Sequence, residues 1–384
     1  MTTKTPPPST APTPPSAIAL RTSPLAGVTL AAFLAAGLLS CGWLLVSGKL
    51  EWLPGKPLSN DAVLEGEITH RIAKELAKAP LPEHAAQLER GGSYLLLGDT
   101  GPRVREGCPQ WLFISDELKL NRHAAANAKA KADAVVALRD SLKKRGIELL
   151  VSVVPDKSRI AASQLCDLPR PASLEPRVRD WAALLQGAGV AVLDLAPALQ
   201  PLGANAFLRL DTHWSEAGAH AAAVAIGQKV AALGIEATPK RSFAISPQPA
   251  APRPGDLVRL AGLDWLPARL QPAQEQVAAS TISEETPEAD GSGDNLDDLF
   301  GDDNLPNVAL IGTSFSRNSN FAGFLQQALA APVGNFGKDG GEFSGAAKAY
   351  FASPAFTQTP PKLVIWEIPE RDLQTAYGGD VELE

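Results

Sequence analysis

The sequence predicts an α/β fold: a doubly wound, mostly parallel sheet with helices on both faces, preceded by one N-terminal transmembrane helix. Three observations point there. Short apolar runs alternate with longer helical patterns through most of the 384 residues. One run, Ile147–Val154 (IELLVSVV), is apolar but for Glu148 and Ser152, as a strand covered on both faces should nearly be. Leu25–Val46 holds 22 residues without a charge, about 33 Å of helix against a bilayer core of about 30 Å.

From the N-terminus, residues 1–24 carry seven prolines among Ser, Thr and Ala. That is too little apolar surface to offset chain entropy, and the segment reads as a disordered tail. The span at 25–46 exceeds the apolar stretch of about 7 to 15 residues usual in a cleaved signal peptide, which favours an uncleaved anchor. Leu38-Leu39-Ser40-Cys41 has the form of a weak lipoprotein cleavage box, yet the apolar run continues past it through Trp43 and Leu45. Flanking charge is thin, with Lys4 and Arg21 before the span and Lys49 and Lys56 after it. A short tail followed by a long domain favours the domain outside the inner membrane, in a bacterial periplasm.

Residues 60–384 make the globular part. Asp61–Leu88 predicts an entry helix broken at Pro80 and Pro82, and Ser93–Leu97 and Trp111–Ser115 predict a pair of short strands. Asn121–Arg145 predicts a helix that Gly146 ends, followed by the strand Ile147–Val154. Glu175–Gln186 then predicts a helix, Val190–Leu195 a strand and Ser215–Leu233 a helix. The strand Val308–Ile311, the helix Phe321–Ala330, the helix Ser344–Phe351 with Ser344 as N-cap, and a last strand Leu363–Trp366 complete the alternation. Gln271–Asp303 interrupts it: acidic, rich in Ser, Gly and Thr, without strong periodicity, it predicts a disordered surface insertion. The stretch from Gly291 to Leu299 resembles a calcium-binding nonapeptide, but one imperfect copy cannot build a stacked site.

Composition narrows the function. Lys plus Arg is 35 and Asp plus Glu is 42, and nine of the acids lie between Glu284 and Asp303. Without that stretch the chain is close to neutral, which argues against a general nucleic-acid binder. Three cysteines exclude a disulfide-dense mini-domain and a multi-cysteine zinc or iron–sulfur framework. Cys108 and Cys166 either close one disulfide in an oxidising compartment or stand as two small buried hydrophobes.

Three places on this frame can carry chemistry. Gly312-Thr313-Ser314-Phe315-Ser316 follows the strand Val308–Ile311 directly, where doubly wound folds gather ligands and helix amides can stabilise an oxyanion. A lipase elbow needs glycine at Ser316, so the α/β-hydrolase version is disfavoured; taken alone, the sequence is also simply a polar turn. Asp211-Thr212-His213-Trp214 precedes a helix and can aim an acid and a base into one crevice, as an activated serine requires, though an isolated pair of this kind also fits a helix entrance with a solvent-facing histidine. Trp366, Glu367 and Arg371 close the last strand and offer a stacking face and a cation for a sugar. Equally, Trp366 is packing and Glu367 with Arg371 a structural pair.

Together these residues resemble the SGNH-hydrolase-like domain of alginate O-acetyltransferases, the AlgJ and AlgX type. The resemblance rests on the N-terminal anchor, Trp111-Leu112-Phe113, Val154-Pro155-Asp156-Lys157-Ser158, Asp211-Thr212-His213-Trp214, Gly312-Thr313-Ser314-Phe315-Ser316 and Trp366-Glu367-Ile368-Pro369-Glu370-Arg371. It spans roughly residues 90 to 375, with the insertion as its main gap. The Asp/His pair ahead of the serine reverses the order of ordinary SGNH esterases and marks this branch.

The resemblance implies Ser314 as nucleophile, His213 as base and Asp211 as its orienting carboxylate. It places the second oxyanion group after the next strand, at Asn335 and Gly340 or Gly341; Trp366 and Arg371 stay as candidate substrate contacts with the structural alternative open. It implies an acyltransferase without metal or organic cofactor. The enzyme would pass acetyl from a membrane-bound O-acyltransferase partner to a polysaccharide acceptor at the inner membrane. The chain stops soon after Arg371, so the carbohydrate-binding module of the AlgX branch is not expected and polymer grip falls to the catalytic domain. Two other readings stay open: a polysaccharide acetyl esterase using the same triad, and a non-catalytic scaffold of an export or modification complex.

Overall fold

The computed structural model describes residues 23–47, 66–285, 305–379 and 381, so the Pro-rich tail up to residue 22 and the acidic segment 286–304 lie outside the described residues. The chain divides into two compact units, Met1–Glu89 and Arg90–Glu384. The first contains α1 (Pro24–Val46), which starts with Pro at its first turn and is long and apolar enough to cross a membrane. It continues with α2 (Glu67–Leu76) and the start of α3 (Pro80–Leu97): the expected break falls at Pro80, whereas Pro82 lies in the first turn of α3 and does not interrupt it, since the amides of a first turn have no intrahelical partner to lose.

The second unit is built on strands and helices that follow the expected alternation. Ser93–Leu97 corrects one reading: it is the last turn of α3, ended by Gly98, whose amide bonds the Tyr94 carbonyl. Leu95, Leu96 and Leu97 point largely to solvent, so the apolar run that suggested a strand has no face to bury. The partner of β2 (Leu112–Ile114) is instead β1 (Val104–Glu106), antiparallel with Val104 opposite Ile114. Cys108 and Cys166 form a disulfide that ties this hairpin to the segment after the first long strand.

After α4 (Ala124–Lys144) come β3 (Glu148–Val154), the short α5 (Lys157–Ile160), α6 (Arg177–Gly187), β4 (Ala191–Asp194) and the short α7 (Ala196–Leu199). Then follow α8 (Glu216–Ala232), whose N-cap Ser215 accepts from the Gly218 amide, β5 (Phe243–Pro247), β6 (Ala251–Arg253) and α9 (Asp256–Leu260). The expected insertion begins as ordered chain: β7 (Glu275–Val277) pairs with β6 and β8 (Ser280–Glu284) pairs with β5, both antiparallel. The last elements are β9 (Val308–Ile311), α10 (Phe321–Leu329), β10 (Gly334–Asn335), α11 (Gly345–Phe351), α12 (Pro354–Thr357) and β11 (Leu363–Pro369). Ser344 sits at the N-cap position of α11 without a side-chain cap bond.

Five strands form one parallel sheet in the order β10–β9–β11–β3–β4. Strand periodicity sorts its residues onto two faces. Leu149, Val151, Val153, Val364, Trp366 and Ile368 pack with α4, α6, α11 and α12. Leu150, Val154, Val308, Leu310, Leu363 and Ile365 pack with α8 and α10. Helices therefore cover both faces, and the sheet is doubly wound as expected. The same parity puts Glu367 on the α8/α10 side, at the C-terminal edge where the serine turn lies.

Candidate active site

Ser314 opens a 3-10 turn (Ser314–Arg317) that leaves β9 at that edge. The turn is held from below by β11: Glu367, fully buried, accepts from the Thr313 amide at 2.6 Å, the Thr313 hydroxyl at 3.0 Å and the Ser316 hydroxyl at 3.0 Å. Gly312 is required here by close approach, because a Cβ would stand 2.4 Å from Glu367 Oε2 and 2.6 Å from Ser316 Oγ. Burial pushes the Glu367 carboxyl up, and the bonds from Thr313 and Ser316 partly offset this. The Ser314 amide donates to no other backbone or side-chain group among the described residues.

His213 arrives on a tight loop between Phe207 and Trp214, which form an antiparallel bridge. Trp214 anchors the loop, fully buried with its ring centroid 5.1 Å from Phe315 and 4.6 Å from Phe321. Lys157, from the Val154–Ser158 segment, is buried beneath it and donates to the carbonyls of Leu112 at 2.6 Å, Arg209 at 2.8 Å and Asp211 at 3.0 Å. Glu275 on β7 accepts from the Arg209 and Leu210 amides at 2.7 and 3.0 Å. The neighbouring Asp156 is buried in an ion network with Arg177, Arg170 and Glu370 that fixes the ends of β3 and β11.

These supports bring the three predicted residues together. His213 Nδ1 lies 2.6 Å from Asp211 Oδ1, and His213 Nε2 lies 2.7 Å from Ser314 Oγ. Asp211 Oδ1 also accepts from the His213 amide at 3.0 Å, and Arg253 stands 3.4 Å from Asp211 Oδ2. Burial alone would raise the Asp211 carboxyl; the His213 ring and amide and the Arg253 guanidinium outweigh it and hold the group well below the usual carboxylate range. An ionised Asp211 fixes Nδ1–H on the ring and leaves Nε2 free to take the Ser314 proton.

The pair opens into a cleft of about 520 Å³ lined by Thr212, His213, Asp256, Ser314, Gly340 and Arg371, among others. Gly340 and Arg371 are thus placed at the site, Arg371 with its guanidinium 5.4 Å from the Phe315 ring centroid. Asn335 and Trp366 are not. The Asn335 amide nitrogen donates to the Ser316 carbonyl at 2.8 Å and its oxygen accepts from the Gly337 amide at 3.0 Å, so both ends brace the loop. Trp366 is 1% exposed and packs 5.1 Å from Phe343 on the opposite sheet face, which corrects the expectation of a sugar-stacking surface. Sequence reasoning missed Asp256, which accepts from the Thr212 amide at 2.7 Å and stands 3.8 Å from His213 Nδ1; no short-range motif marks it. Burial and the Asp211 charge push its carboxyl up, against His213 and Thr212.

Asp211, His213 and Asp256 offer ligand atoms within 4.8 Å of one another. His213 Nδ1 is already committed to Asp211 at hydrogen-bond distance, and a cation there would have to break that bond. The donor set fits a proton relay better than a metal site.

The family described as the SGNH hydrolase-like domain of the acetyltransferase AlgX matches residues 104–370. The probable alginate O-acetylase AlgJ of Azotobacter vinelandii is 31% identical over 83% of this chain and 82% of its own length. Its Pseudomonas aeruginosa counterpart is 32% identical over 92% and 90%. Among solved structures, the O-acetyltransferase domain of Pseudomonas putida AlgJ aligns with a TM-score of 0.62 at 30% identity, covering 72% of this chain and 94% of that one.

Proposed function

The chain belongs to the SGNH hydrolase-like acetyltransferase family of AlgX, and from that premise we propose that it transfers acetyl groups to hydroxyls of an exopolysaccharide, alginate or an alginate-like chain, through an acetyl-Ser314 intermediate. The observation that carries this reading is the run of contacts from Asp211 through His213 to Ser314, at 2.6 and 2.7 Å, on the wall of a cleft wide enough for sugar residues.

The chemistry follows from that geometry. His213 Nε2 takes the Ser314 proton as Oγ attacks the carbonyl carbon of an acetyl ester. The oxyanion that forms faces the Ser314 amide, which has no competing acceptor. Collapse expels the donor oxygen with the proton from His213 and leaves acetyl-Ser314. An acceptor hydroxyl then gives its proton to the same nitrogen and attacks the acetyl carbon. Ser314 leaves, reprotonated by His213. Asp211 carries the balancing charge at each imidazolium stage. Arg371 and Gly340 on the cleft wall contact the acceptor.

The anchor-like α1 supports a single-pass placement in the inner membrane with the catalytic unit in the periplasm. Tethering there raises the effective concentration beside a membrane-bound O-acyltransferase that supplies acetyl groups. The test is transfer itself. The full-length chain in detergent is given p-nitrophenyl acetate and mannuronate oligosaccharides, and products are weighed. Acetylated oligosaccharide with the wild type and none with Ser314→Ala is expected. Free acetate alone, released at a rate the oligosaccharide does not change, would make the protein an esterase instead.

A further inference from the structure

His213 faces two carboxylates, not one. Asp211 Oδ1 is hydrogen-bonded to Nδ1 at 2.6 Å, but its other oxygen is shared with Arg253 at 3.4 Å, so part of its charge is already countered. On another element, Asp256 Oδ2 stands 3.8 Å from the same nitrogen, beyond hydrogen-bond length and well within Coulomb range. Its Oδ1 is held by the Thr212 amide at 2.7 Å, in the middle of the catalytic loop. This approach depends on Gly255: a Cβ there would lie 1.9 Å from the Leu210 carbonyl oxygen, so only glycine lets the start of α9 press against the loop. Leu257 completes the contact, its amide donating to the Leu210 carbonyl at 3.2 Å.

We propose that Asp256 is a positioning residue for His213, holding the loop through Thr212 and supplying a second negative charge beside Nδ1 when the ring becomes cationic. Resting on the reading of Ser314 as nucleophile and His213 as base, it assigns the charge lost to Arg253 to a residue about 40 positions away in sequence. The charged groups facing the pair are few enough to name. They are Asp211 on the loop, Arg253 on β6, Lys157 beneath the loop and Glu275 on β7, with Arg103, Asp116, Glu342, Arg371 and Asp372 along the cleft that His213 and Asp256 line. Arg259 and Asp264 line a second cavity together with Asp211 and Asp256. None of the cations among these lies within ion-pair distance of Asp256, so its charge is not neutralised locally among the described residues.

The sign of the effect is fixed. A carboxylate beside the ring stabilises the cation that forms during the reaction, so removing that charge moves the acid limb of kcat/KM to lower pH. Asp256→Asn keeps an acceptor for the Thr212 amide and removes the charge. With p-nitrophenyl acetate and the full-length chain in detergent, measured from about pH 5 to about pH 9, the limb should move down by about one pH unit and the plateau should fall about threefold to tenfold. Thermal unfolding should be nearly unchanged, because the backbone contact is retained. Asp256→Ser, smaller and also uncharged, is measured beside it, so that a folding failure of one variant does not remove the test, and the same downward shift is expected. A purely structural role gives folded variants whose profiles superimpose on the wild type, and that result overturns the proposal. Ser314→Ala separates the two levels. If it keeps wild-type turnover, the nucleophile reading fails and the proposal with it. If it is inactive while the Asp256 variants keep the wild-type limb, only the proposal fails.

Discussion

Lys157 gives the sharpest stability prediction. Lys157→Met keeps the apolar stem and removes the ammonium, leaving the Leu112, Arg209 and Asp211 carbonyls without their donor at 2.6, 2.8 and 3.0 Å. The site is 1% exposed, so water cannot replace the lost bonds. The Arg209 carbonyl still accepts from the Leu112 amide at 3.0 Å, so two carbonyls, those of Leu112 and Asp211, are left unsatisfied. An unsatisfied buried acceptor costs at least about 1 kcal/mol, so the two cost about 2 kcal/mol. At about 2 to 4 °C per kcal/mol for a domain of this size, Tm should fall by about 4 to 8 °C in thermal unfolding followed by circular dichroism. Asp211 loses its backbone anchor as well, and misplacement of about 1 Å costs up to about a hundredfold in kcat. The pH dependence has a definite sign. Burial pulls the Lys157 ammonium from 10.5 down to about 8, against the opposing pull of Glu117 and Glu275. The unfolded chain therefore holds this proton more tightly, and the burial cost of the charge is relieved as pH rises from about 8 towards 10.5. The advantage of the wild type over Lys157→Met should widen across that window. An unchanged Tm together with unchanged kcat would refute the view that this lysine organises the loop carrying Asp211 and His213.

Two further outcomes follow. Cys108→Ser opens a loop of 58 residues, which the chain-entropy relation values at about 4 kcal/mol, and Tm should drop accordingly while the reduced wild type falls to the same value; a variant as stable as the oxidised protein would show the bridge to be dispensable. Trp366→Ala removes a fully buried ring from the core and should cost about 3 to 5 kcal/mol, with KM for an oligosaccharide acceptor unchanged in the folded fraction. A raised KM with unchanged Tm would return Trp366 to the substrate.

The frame was readable because its signals are local. The runs at Ile147–Val154 and Val308–Ile311 are buried on both faces and need no knowledge of their neighbours, and Ser215 caps α8 through a bond within three residues. The proposed trio was readable because Asp211 and His213 are two residues apart and Ser314 follows a strand. What failed depends on distance in sequence or on strand parity. Ser93–Leu97 looks like a strand until the preceding helix is seen to run through it. Trp366 and Glu367 are adjacent, yet alternation along β11 sends the tryptophan to one core and the glutamate beneath the Ser314 turn. Asp256 and Lys157 reach the loop from 44 and 54 residues away, across contacts that no motif spacing records. The start of the acidic insertion was misread because Glu275, a charge on an exposed-looking segment, is anchored to two backbone amides.

The central claim is that Ser314 carries the acetyl group. Intact-mass measurement of the full-length chain after brief exposure to p-nitrophenyl acetate tests it directly. An increase of about 42 Da, the mass of one acetyl group, should appear on the wild type, map to Ser314 and be absent from Ser314→Ala. Turnover of the ester with the adduct on another residue, or an equal adduct on Ser314→Ala, would contradict the account.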